Sequence, residues 1–158
     1  MTSETAALLA RIATAQRAGR WLDLDGLLIE LAPLFEPDLV GPLLSTIADD
    51  FLGEEVVFGL VHLAESVESS SYIAGLLDAL PTLRQNAPRW ARTLLARVFN
   101  APGDFAVLLE TAPNASSEQR AALADTGARV EAWEPVRFGG QYQQLLTSLA
   151  RSGARDAQ

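Results

Sequence analysis

The stretch EEVVFGLVHLAESV, residues 54–67, repeats its apolar residues with the period of an α-helix. At about 100° per residue, Val56, Val57, Leu60, Val61, Leu63, Ala64 and Val67 fall on one broad side, the stripe that a helix turns toward a core. Glu55, Phe58, His62 and Glu65 gather on the other side. That second side admits two readings. A phenyl ring and an imidazole flanked by carboxylates, turned away from the core, have the make-up of a binding hot spot with an acidic rim. Alternatively the helix is covered on both sides, with Phe58 packed against a neighbouring hairpin and His62 hydrogen-bonded locally.

Outward from this segment, the chain keeps the same helical character. Leu and Ala dominate while β-branched residues are sparse, and unbranched side chains lose little rotamer freedom in a helix. Thr2 or Ser3 is placed to cap a first helix running to about Arg17, with Gly19 just past its end. A second is expected from about Arg20 to Ala32, stopped by Pro33 and the Glu36-Pro37 turn. Asp38 would cap a third reaching about Phe51, and Gly53 separates it from the helix of residues 54–67. Ser69, Ser70 or Ser71 would cap a fifth that ends near Leu80-Pro81. A sixth begins at Pro88 and stops near Asn100. Asp104 and Ser116 would cap helices over 104–112 and 117–126, and a last one covers Gly140 to Arg151. Residues 126–139 show no helical period and are expected to be irregular, and 152–158 to form a flexible tail. The expectation is a single all-α domain over residues 1–158: eight or nine short helices stacked as antiparallel hairpins, either a HEAT-like solenoid or an irregular bundle.

Charge is unevenly distributed. From Trp21 to Leu80 there are twelve carboxylates and no Lys or Arg, whereas Pro81 to Gln158 carries nine Arg against seven carboxylates. A sixty-residue segment of one sign repels nucleic acid and attracts basic proteins. The alternative is that these carboxylates are ordinary solvated helix faces. The cluster Arg84, Arg89, Arg92 and Arg97 is the one basic feature that would suit a nucleic acid. At a net charge of −8 it is better matched to carboxylates of the acidic half.

Several chemistries are excluded or disfavoured. Without Cys there is no disulfide framework, thiolate metal site or cysteine nucleophile. His62 is the only histidine, and neither a Gly-x-Ser-x-Gly elbow nor a His-Glu-x-x-His pair is present. Asp49, Asp50, Glu54 and Glu55 lack the alternating ligands and central Gly of a calcium loop. No phosphate cradle follows a strand. Neither an enzyme nor a bound cofactor or metal is therefore expected. No run approaches the roughly 20 apolar residues that span a bilayer, and the N-terminus lacks a signal peptide's apolar core, so a cytoplasmic protein without membrane contact is expected.

The central region also carries a family likeness. His62-Leu-Ala-Glu65-Ser66, Tyr72-Ile73, Leu80-Pro81, Ala87-Pro88-Arg89-Trp90-Ala91 and Arg97-Val-Phe-Asn100 resemble the immunity protein 30 family of bacterial polymorphic-toxin systems. The resemblance implies an all-helical protein that binds the C-terminal domain of a cognate toxin, as in contact-dependent growth inhibition, and so protects the producing cell. It does not transfer contact residues, because those vary with the toxin.

From the residues themselves, the expected partner-binding set is Asp49, Asp50, Glu54, Glu55, Phe58, His62, Glu65, Glu68 and Tyr72. The charges would steer a basic, nuclease-type toxin domain into a one-to-one complex, and Phe58 and Tyr72 would anchor it. The rival expectation is an acidic helical adaptor or secretion chaperone without inhibitory activity.

Overall fold

The computed structural model describes residues 1–49 and 54–151, with Glu54 described in its backbone alone. Nine α-helices and no strand occur among the described residues: α1 (Ser3–Arg17), α2 (Trp21–Leu31), α3 (Val40–Leu44), α4 (Glu54–Ala64), α5 (Ser69–Asn86), α6 (Pro88–Asn100), α7 (Pro102–Thr111), α8 (Ser117–Trp133) and α9 (Pro135–Ala150). The all-α expectation holds. Of the expected caps, those at Thr2 and Ser116 are realised, whereas α5 starts after Glu68 and α7 after Ala101 without a side-chain cap. Thr2 and Thr5 form a capping box at α1, and Ser116 and Gln119 form one at α8, each satisfying amides that a helix start leaves unpaired. Gly19 follows α1 with φ at +63°, a backbone that side chains with a Cβ rarely adopt.

Three segments differ from the sequence expectation. The third helix does not run from Asp38 to Phe51. Pro37–Leu39 is a 3₁₀ turn, and α3 lasts only Val40–Leu44. The Ser45 hydroxyl turns back onto the Gly41 carbonyl, and both the hydroxyl and the amide of Thr46 bond the Leu43 carbonyl, the acceptor that a continuing helix would have given to Ile47. The Asp38 carboxylate accepts from the Met1 ammonium at 2.8 Å instead of capping.

Second, α5 continues through Pro81 to Asn86. Proline removes one intrahelical bond, but Ile73, Leu76, Leu77, Leu80 and Leu83 make a buried stripe that crosses it without interruption. Third, residues 126–139 are helical except around Glu134. There α8 extends to Trp133 and α9 already begins at Pro135. The buried face of α8 sets Ala122, Thr126 and Gly127, small side chains that give a weak apolar signal, between Leu123 and Val130. The Tyr142 ring of α9 lies over Gly127, where a Cβ would come within 3.0 Å of it.

The core runs through the whole chain, from Leu8 and Ile12 of α1 to Phe138 and Leu145 of α9. Helices α1 and α2 form a hairpin, as do α8 and α9, while α5 packs against α3, α6, α7 and α8. At its crossing with α3, α5 presents Gly75. A Cβ there would lie 2.5 Å from Val40 and 2.8 Å from the Gly41 nitrogen. Gly75→Ala should therefore cost about 1–3 kcal/mol, read as a lowered denaturant midpoint at unchanged m-value. An unchanged midpoint would mean that the two helices separate freely.

Candidate acidic interface

α4 positions the face singled out from the sequence. Its apolar stripe is buried as expected at Val57, Leu60, Val61 and Ala64, against α2 and α3. Leu28 of α2 sits over Gly59, 3.1 Å from where a Cβ would be. The opposite side is divided. Glu55 and His62 are exposed, whereas Phe58 and Glu65 are half-buried against α6. Phe58 meets Trp90 edge-to-face with centroids 5.2 Å apart, and the Arg97 guanidinium lies 5.8 Å from the Phe58 ring.

Glu65 and Arg97 form a two-pronged ion pair. Arg97 donates through Nε to Oε1 and through Nη2 to Oε2, both at 2.7 Å. Parallel charge-assisted bonds of this kind are stronger and more specific in geometry than a single contact. Its hydrogen bonds to Glu65 hold the guanidinium even more firmly protonated than usual. Tyr72, only 2% exposed, lies beside the pair and beside Asp104 in a shallow groove. Burial, reinforced by the Glu65 carboxylate, pushes its hydroxyl far above the ordinary phenol range, so Tyr72 is neutral throughout the physiological range.

Asp49 reaches across from the segment after α3 to the start of α6. Its carboxylate accepts from the Arg89 amide at 2.9 Å and the Trp90 amide at 3.3 Å. Pro88 at the first position has no amide, so Asp49 serves the next two unpaired donors and adds a negative charge at a helix N-terminus. Glu68, exposed just before α5, accepts from the hydroxyls of Ser70 and Ser71 at 2.8 and 3.3 Å.

Of the nine residues expected to meet a partner, Glu55, His62 and Glu68 thus face solvent. Phe58, Glu65 and Tyr72 are drawn into one internal cluster with Trp90 and Arg97, and Asp49 holds α6. Asp50, the side chain of Glu54 and the tail 152–158 lie outside the described residues. The cluster's cationic half, Arg97, was legible as part of the arginine group expected to meet the acidic half. Its particular partner was not, because sequence spacing does not carry a contact between residues 32 apart. Arg92 instead stacks on Trp133, 4.4 Å from its ring.

No described helix is long and apolar enough to cross a membrane, and no described group of His, Asp and Glu is arranged to hold a metal ion.

A double-mutant cycle on Glu65→Gln and Arg97→Met should give a coupling of about 1–2 kcal/mol, above that of an exposed pair. A coupling near zero would contradict the clamp. Asp49→Ala should cost about 1 kcal/mol by denaturant melts and Asp49→Asn distinctly less, as at other helix N-termini. Equal losses would remove the cap.

The family model described as immunity protein 30 matches residues 14–108, more than half of the chain. No curated protein and no solved structure matches it.

Proposed function

The chain belongs to the immunity protein 30 family, and from that membership we propose that it binds and neutralises a cognate toxin domain, protecting the cell that makes both. The observation that carries the reading further, to a basic and nuclease-type toxin, is where the charge sits. The whole Lys- and Arg-free stretch Trp21–Leu80 falls inside the matched residues. A nuclease cleft is positively charged because it holds phosphates, so an acidic helical surface is complementary to it and accelerates encounter. Inhibition needs only binding and no reaction by the inhibitor.

Among the described residues of the acidic stretch, the pairing of Glu65 and the capping by Asp49 leave Glu55, Glu68 and His62 as the outward residues of the expected set. These steer the partner, while Phe58, Glu65 and Tyr72 keep that face rigid. An adaptor or secretion chaperone of the same shape would bind its client without suppressing an activity.

Co-expression separates the two. The chain should restore growth to cells producing the toxin domain encoded beside its gene, and a failure to rescue would remove the immunity reading. With the purified pair, Glu55→Arg combined with Glu68→Gln should slow association several-fold at low salt and converge with the wild type at high salt. Identical association rates at low salt would remove the steering role of this face.

A further inference from the structure

α2 is apolar on both sides. Leu24, Leu27 and Leu31 are buried, and on the opposite face Leu22 and Ile29, one heptad apart, are 88% and 70% exposed. Single exposed leucines carry no information, but here the two residues between them on that face are Asp25 and Gly26. A Cβ at Gly26 would meet nothing within 4 Å. The space over Gly26 opens into a groove of about 580 Å³ between α1 and α2, floored by Ala10, Ala15 and Leu27. Its rim is closed by ion pairs, Arg11 with Glu30 at 3.0 Å and Arg20 with Asp23 at 3.4 Å. Both rim cations are thereby matched by carboxylates of α2 itself. Asp25, beside the apolar pair, has no cation in any described ion pair.

We infer that this face of α2 is a toxin-docking surface, taking an apolar side chain of the partner over Gly26 with a flanking Lys or Arg of the partner on Asp25. The inference rests on the toxin-binding reading and adds to it a contact surface away from α4's acidic residues. Charge complementarity selects the occupant. The groove's own cations are already paired, the unmatched charge is negative, and α2 begins the stretch that lacks Lys and Arg. An apolar centre within a charged rim is also how binding energy is concentrated at protein interfaces. α2 packs directly on α4, so one partner is able to meet both helices.

The test uses the full chain and the toxin domain encoded beside its gene, with affinity measured by calorimetry. Gly26→Gln fills the hollow at a position where a side chain meets nothing and a helix gains from losing glycine, so it should melt no lower than the wild type. It should nevertheless bind at least roughly tenfold more weakly, as should Leu22→Ser with Ile29→Ser. Wild-type binding with both variants within about twofold would overturn the α2 surface while leaving the toxin reading intact. A wild type that neither binds nor rescues would overturn both. Concentration-dependent dimerisation of the chain alone, abolished by Gly26→Gln, would also overturn the inference by giving the face to a second copy.

Discussion

Where α3 crosses α5, Gly75 lets the Val40 side chain and the Gly41 backbone approach so closely that a single methyl group would collide with them. Much of the fold hangs on that contact. It fixes the short α3 on the longest of the described helices, and α4 packs in turn on α3 and α2. Because α3 ends after one turn at Leu44, the chain beyond it is free to bring Asp49 to the first amides of α6. The side of α4 that carries Phe58, with Glu65 just past the helix end, then faces α6, where Trp90 and Arg97 receive the two. A bulkier residue at position 75 would therefore disturb contacts made by elements distant from it.

The division of charge along the sequence acquires a spatial meaning from this arrangement. The acidic stretch and the arginine-bearing half are joined where Glu65 grips Arg97 and Asp49 holds the start of α6. Those two carboxylates are used internally. Others, including Asp25, Glu55 and Glu68, stay at the surface. Surface carboxylates left unpaired in this way remain available to a positively charged partner, whose approach they would accelerate.

The sequence made the helical class legible because its signals came from large residues at helical spacing and from capping pairs. The apolar stripe of α4, the Thr2 and Ser116 caps, and Pro88 with Asn100 at the ends of α6 all lie where the pattern places them. It failed where the signal was small or competed with a stronger rule. Pro81 looked like a stop, yet the leucine stripe of α5 continues past it. Ala122, Thr126 and Gly127 bury a helix face without the bulk that reveals one. On the candidate interface, periodicity identified the side of α4 opposite its core stripe but not what covers it. Phe58 and Tyr72 are aromatic residues in an acidic setting, and packing against α6 or burial beside it gives the same sequence pattern as an exposed anchor.

In the proposed complex the acidic first half of the chain, and not the arginine-bearing second half, receives the toxin domain. Amide hydrogen exchange of the chain, free and saturated with the toxin domain encoded beside its gene, tests this directly, because partner contact slows local opening. New protection is expected to concentrate in α2 and α4, with α8 and α9 unchanged. Protection confined to α6 through α9, with α2 and α4 exchanging as in the free chain, would contradict it.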